Sequence, residues 1–241
     1  MNYTMKETPE EVAQLVANEI KQLLLNKPDA LICLCGGHTP IPVFRQLIKD
    51  AKANEFPSDA FKFILLDEWV GLGIDDEGSC SYDLSTQFLN PLNVPLDDRV
   101  FLFDGLSDDF EKECQKAQQF IERNNGIDLV LLGVGMNGHI GFNEPGSEVD
   151  DGIRVVELSE KSKEVGKKYF KANHDLTHGI TLGIREFLNA KRLLILALGA
   201  HKKEIVEQTV HSEKNVALPV TLIKDHKNVH LYLDELAAQN L

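Results

Sequence analysis

Apolar residues recur along the chain in two rhythms. Val12, Leu15, Val16, Ile20, Leu23 and Leu24 fall at helical spacing, and Thr8-Pro9-Glu10-Glu11 ahead of them reads as a capping box with proline at the first helical position. The pattern predicts a helix ending near Asn26. Ala30 to Cys35 is a continuous apolar run, as in a strand buried on both faces, and it leads through GGHTP into a helical pattern at Val43, Leu47 and Ile48. The strand–turn–helix unit recurs. Phe61 to Leu66 is a short apolar strand and Val100 to Phe103 a weaker one, while Asp108 to Arg123 is an amphipathic helix leading to the strand Ile127 to Leu132. Arg192 to Leu198 is another buried strand, a helix follows from about Ala200, and Val229 to Leu233 closes the series.

Short apolar strands alternating with helices imply a mostly parallel sheet covered on both faces, because a parallel crossover needs a helix-sized connection. No repeat, low-complexity stretch or Pro/Gly/Ser linker divides residues 1–241, so one α/β domain is expected. The exception to the regular pattern is Asp150 to His178, polar and rich in lysine. It is either a mobile lid or an exposed helical excursion.

Charge narrows the function classes. Thirty-eight acidic residues against 25 basic ones give a net charge of −13, which argues against a general nucleic-acid or anionic-membrane binder. A small anionic ligand stays open, since a few local cations override the net sign. No apolar run approaches a membrane span and MNYTMKETPEE lacks the features of a signal peptide, so a cytoplasmic protein is expected. Cys33, Cys35, Cys80 and Cys114 show no CxxC spacing and read as reduced residues, with Cys33 and Cys35 on one strand face.

In parallel α/β sheets ligands bind beyond the carboxyl ends of the strands. LCGGHTP, LLDEW, LLGVGMNGH and LALGAHK all stand where an apolar run stops, so their polar groups share one edge. Asp67 and Glu68 end such a run; Asp67 is either a cap or ion-pair partner or a partly desolvated general base, with Glu68 facing the other way. Gly36, Gly37, His38 and Thr39 offer backbone N–H groups, and Thr39 can cap the next helix, a combination that suits phosphate. Lys202, at the start of a helix after Gly199, either extends into water or meets a bound anion there. His139 and Glu144 lie five apart across a glycine-rich turn that also contains Gly135 and Asn137, a spacing that lets the carboxylate orient the imidazole. A metal is the rival use of histidine, yet the pairs His174/His178 and His226/His230 show no third ligand, and no GxSxG elbow is present for a serine hydrolase. An anion cradle, a carboxylate base, an oriented histidine and a cation, without a cofactor motif, suit proton shuttling on a small phosphorylated substrate.

The blocks GGHTP, LLDEWVGL, GVGMNGHIGFNEPG and LGAHK, in that order across nearly the whole chain, resemble the glucosamine-6-phosphate deaminase/isomerase family. DEW, HGITLG and FLNAKRLL resemble its galactosamine-6-phosphate isomerase branch. The resemblance implies a Rossmann-like α/β fold, a three-layer sandwich in which 150–178 remains only a lid candidate. It implies no obligate cofactor, and conversion of a phosphorylated amino sugar, gluco or galacto, plus water to a ketohexose 6-phosphate and ammonia. By position it makes Asp67 the base that moves a proton between C2 and C1, His139 the ring-opening acid/base with Glu144 as its orienting carboxylate, and Lys202 and the GGHTP turn the phosphate holders. Asn137 stands where many members have aspartate, Gly36 and His38 depart from the usual TG(G/S)TP turn, and Lys168 replaces a phosphate-binding arginine, keeping the charge but losing the fork. Ser147 and Arg154 only loosely match an activator site. The alternatives are a 6-phosphogluconolactonase, whose DER and GHxASLFPG patterns differ from DEW and GHIGFNEPG here, and a non-catalytic sugar-phosphate sensor. A sensor is disfavoured because a first strand near residue 30 leaves no room for a DNA-binding module. The sequence fits a monomer and a homo-oligomer alike.

Overall fold

The computed structural model describes residues 1–57, 61–167, 170 and 176–241. Seven strands run parallel in one sheet: Asn2–Lys6 (β1), Leu31–Leu34 (β2), Lys62–Leu65 (β3), Val100–Phe101 (β5), Leu129–Gly133 (β6), Leu193–Ala197 (β9) and Val229–Asp234 (β10). A three-residue strand, Asp67–Trp69 (β4), leaves this sheet and pairs antiparallel with His178–Thr181 (β8), which pairs in turn with Arg154–Glu157 (β7). The large sheet has the order β1-β10-β9-β6-β2-β3-β5.

Strand periodicity sends alternate residues to opposite faces. Leu31, Cys33 and Cys35 pack into one core with Ile64, Val130 and Ile195, while Ile32, Leu34, Phe63 and Leu131 pack into the other. All four cysteines are free, and only Cys114 is not fully buried. Helices Pro9–Asn26 (α1) and Ile41–Lys52 (α2) cover the second core, to which Val12, Val16, Ile20, Val43, Phe44 and Leu47 belong. On the other face lie Phe110–Arg123 (α4), Ile184–Asn189 (α6) and Lys203–His211 (α7), which contribute Phe120, Phe187 and Val206. Helix, sheet and helix layers make the expected three-layer α/β sandwich.

The caps fix where the helices start. Thr8 Oγ1 accepts from the Glu11 amide and the Glu11 carboxylate accepts from the Thr8 amide, both at 3.2 Å, with Pro9 at the first turn. Thr39 does not cap α2. That helix starts at Ile41 with Pro40 at its cap position and no side-chain bond, because Pro40 and Pro42 already set the first-turn backbone.

Two features differ from the sequence reading. The first strand is β1, not the run near residue 30: NYTMK is an exposed edge paired only with β10, so burial leaves no apolar signature on it. The segment 150–178, read as either a mobile lid or an exposed helical excursion, is in its described part more than a helical excursion. It holds β7, the short helix Glu160–Gly166 (α5) and the start of β8, so its first segment is tied to β4 through a sheet.

Asp128 braces the amino ends of the central strands. Its carboxylate accepts from the buried Leu31 amide at 2.9 Å and pairs with Lys27 and Lys191, each at 2.7 Å. Burial pushes its carboxyl up, but the bonds from Lys191, Lys27 and Leu31 outweigh burial and hold it below the usual range. Asp128→Ala is expected to cost about 2 kcal/mol in urea unfolding, mostly from the unpaired Leu31 amide, since both lysines are partly exposed and screened. A carboxylate depressed in the folded state stabilises fully above its unfolded pKa. The difference between wild type and Asp128→Ala should therefore be constant at neutral pH and shrink as pH falls below about 4.

Candidate active site

The sheet order places the site. Connections run outward in one direction from β2 through β3 to β5, and in the other from β6 through β9 to β10, so the β2/β6 boundary is a topological switch point. A cleft of about 950 Å3, open mouth included, lies at the carboxyl ends of these strands. Gly36, Gly37, His38 and Thr39 enter it after β2, Asp67 as β4 begins, Gly135 and His139 after β6, and Lys202 after β9. Eight of the sequence-predicted residues thus meet in one cleft. Asn137 and Glu144 stand behind His139, and Lys168 lies outside the described residues.

Asp67 is buried. Burial first, then the charge of Glu68, pushes its carboxyl up to about 7, with a hydrogen bond from the Cys80 thiol opposing. Glu68 faces away from the cleft, as strand alternation requires, into the start of the helix Cys80–Leu84 (α3). The start of α3 packs closely on the glycine turn: a Cβ at Gly36 would sit 3.1 Å from the Cys80 Cβ, so a larger residue there would need a small shift of α3.

The histidine is oriented differently from the direct His139–Glu144 pair read from the sequence. Glu144 Oε2 is 3.7 Å from His139 Nδ1, beyond a hydrogen bond, and Asn137 bridges the two. Asn137 Nδ2 donates to Glu144 Oε2 at 2.9 Å, which turns its Oδ1 toward the imidazole. That oxygen is 2.6 Å from His139 Nδ1 and accepts from the His139 amide at 3.2 Å. The pattern assigns the proton to Nδ1 and leaves Nε2 as an acceptor. Burial lowers the imidazole's proton affinity, Glu144 raises it and Lys202 lowers it, with a net shift downward, so the ring is neutral near pH 7. Gly135 seats the ring: a Cβ at this position would lie 2.3 Å from Nε2.

Lys202 does not extend into water. It lies at the end of the 3-10 turn Ala200–Lys202, and its ammonium donates to the Val134 carbonyl at 2.6 Å, at the lip of the cleft. Burial lowers its pKa. The opposite wall belongs to α5, whose Lys161, Ser162, Val165 and Gly166 line the cleft, and Ser162 Oγ lies 3.3 Å from His139 Nδ1. Trp69, whose ring centroid lies 4.6 Å from that of Phe142 at a tilt of 59°, also lines the cleft.

Sequence reasoning missed α5 and α3 as walls. Both are short, but each has a serine cap, Ser159 and Ser79, that accepts a bond from an amide three residues on. Those caps are the signal that could have found them. Of the histidine pairs, His226 bonds the Ala190 carbonyl, His230 bonds Thr4, and His174 lies outside the described residues. Among the described residues no group of three His, Cys, Asp or Glu is placed to hold a metal, and no helix is long and apolar enough to cross a membrane.

Known proteins resemble this chain over nearly its whole length. The family model for glucosamine-6-phosphate isomerases/6-phosphogluconolactonase matches residues 4–232. A glucosamine-6-phosphate deaminase of Bacillus pumilus (strain SAFR-032) is 34% identical over 238 residues, 98% of each chain. Its counterpart from Thermoanaerobacter sp. (strain X514) is 33% identical over 230 residues, 95% of this chain and 90% of the other. Among solved structures, a monomeric glucosamine-6-phosphate deaminase is 31% identical and superposes with a TM-score of 0.95 over 100% of both chains. A 6-phosphogluconolactonase from Thermotoga maritima, 20% identical with a TM-score of 0.76 over 97% of this chain and 99% of that one, shares the fold.

Proposed function

We propose, since the chain belongs to the glucosamine-6-phosphate isomerase/6-phosphogluconolactonase family, that it is a deaminase that converts an amino-sugar 6-phosphate and water to a ketohexose 6-phosphate and ammonia. The observation that carries this reading is the juxtaposition in one cleft of a carboxyl held near neutrality, Asp67, and a neutral, oriented imidazole, His139. Nε2 of His139 takes the proton of the anomeric hydroxyl and returns it to the ring oxygen, which opens the sugar. Asp67, as carboxylate, takes the proton from C2 of the open aldehyde and delivers it to C1. O1 takes a second proton from the substrate's own ammonium, so the C1 carbonyl becomes CH2OH and C2 is left as an iminium, C=NH2+. Water adds at C2, ammonia departs, and the ketone remains. Atoms balance without an external oxidant or reductant.

Lys202 and the amides of the Gly36–Thr39 turn hold the phosphate, with Lys168 as a further cation. Lys202→Ala is expected to lower kcat/KM about ten- to hundredfold, the worth of one charged hydrogen bond. The loss should appear chiefly as a raised KM, because phosphate contacts are the same in ground and transition states.

Relatives named glucosamine-6-phosphate deaminase support the gluco substrate; galactosamine 6-phosphate is its C4 epimer and the competing choice. Ammonia release by the purified protein, with kcat/KM measured for both epimers, decides between them. Turnover of neither sugar would overturn the proposal. A cytoplasmic protein fits this substrate. A solved relative described as a monomeric glucosamine-6-phosphate deaminase supports a chain that acts as a monomer.

A further inference from the structure

Glu68 is fully buried next to the base, and it is held by four uncharged donors. Oε1 accepts from the Trp69 amide at 2.8 Å and the Cys80 amide at 2.9 Å. Oε2 accepts from the Ser81 amide at 2.8 Å and from the Ser81 hydroxyl. Each oxygen takes two donors, so the pocket suits a group that only accepts. Glutamine offers one accepting oxygen and a donating NH2, which would face an amide N–H at either position, and a protonated carboxyl gives up one of the four bonds, at Oε2 by turning the Ser81 hydroxyl into an acceptor. Three fixed amide donors and one hydroxyl therefore favour the carboxylate anion.

The clamp has two consequences. It ties β4 to the start of α3, and α3 carries Cys80 and Asp83 into the cleft wall beside Asp67. It also fixes a negative charge one residue from the base, in a site from which water is excluded. We propose that Glu68 is the positioning residue of Asp67: it anchors the wall that aims the base and supplies the fixed negative charge that makes it a strong enough proton acceptor.

This inference rests on the reading of Asp67 as the base. Burial and the Glu68 charge both push Asp67 up. Burial pushes Glu68 up to about 7 as well, against the pull of its four bonds. The two neighbouring carboxyls thus compete for one proton, and the four donors on Glu68 favour its giving that proton up first. The other groups around Asp67 are Cys33 and Cys35 from β2, Cys80 and Asp83 from α3, Thr181 from β8, and His139 and Lys202 across the cleft. The three thiols are pushed up and stay neutral, foremost by burial. Of the two carboxyls in that set, Glu68 and Asp83, Glu68 is the neighbour whose charge acts on Asp67.

The test compares Glu68→Gln and Glu68→Asp with wild type. For Glu68→Gln the acid-side midpoint of the kcat/KM profile should fall by about one pH unit, because a neutral neighbour relieves Asp67 of like charge. Glu68→Asp, which keeps the charge, should restore the wild-type midpoint even if kcat stays low. A purely structural role lowers kcat and leaves the midpoint in place, and that result overturns the proposal. Carboxyl-labelled wild-type protein followed by 13C NMR gives a second readout that needs neither the variants nor turnover. Glu68 should ionise at lower pH than Asp67; the reverse order overturns the proposal. Failure of wild type to release ammonia would remove the functional reading while the NMR order still decides this one.

Discussion

Asp67→Asn should bind the amino-sugar phosphate as wild type does and turn it over about a thousandfold more slowly, the usual contribution of a general base. The substitution is nearly isosteric, and the amide cannot take a proton from C2. Neighbouring Glu68, clamped by its four donors, points into α3 and cannot substitute for it. Titration supplies the matching signature in wild type. A base must be ionised to act, and Asp67 is pushed up to about 7, so kcat/KM should rise with pH and level off above that value. Asp67→Asn should lose this limb along with the rate. Steady-state kinetics across pH 5 to 9, with substrate binding followed separately by calorimetry, measures both effects.

Gly135→Ala should be almost as damaging as His139→Ala, each lowering kcat about a hundredfold. The alanine methyl would overlap the imidazole at 2.3 Å, and the ring is pinned from the other side by Asn137 at 2.6 Å, so it must swing off its aim. Both losses reflect ring opening, a step that proceeds slowly unaided, which keeps them below the loss at Asp67. An acyclic amino-polyol phosphate has no ring to open and should bind His139→Ala with unchanged affinity. Gly135→Ala with wild-type turnover would show that the ring position is immaterial.

Much of this architecture is legible in the sequence because burial on both faces writes continuous apolar runs. The runs at Leu31, Leu129 and Leu193 become the three central strands, and the polar groups that follow them meet at one edge. Exposed or short elements leave no such record. β1 shows no apolar alternation because both of its faces are largely open, and β4, β7 and β8 are three or four residues long. Within the site, residue type was readable but partnership was not. Glu144 and His139 stand five apart in sequence, yet a spacing cannot show that an amide two residues before the histidine slides between them. Asn137 is the link through which the carboxylate acts, in a position where it can pass a hydrogen bond but not a charge. Lys202 is likewise settled by tertiary contact, since only the fold brings the Val134 carbonyl to its ammonium.

The most direct test incubates wild type and Asp67→Asn in parallel with glucosamine 6-phosphate and galactosamine 6-phosphate, and measures ammonia and ketohexose 6-phosphate together. Wild type should release the two products one for one from at least one epimer, and Asp67→Asn should release neither above about a thousandth of that rate. Equal product formation by both proteins, or none by wild type on either sugar, would contradict the account.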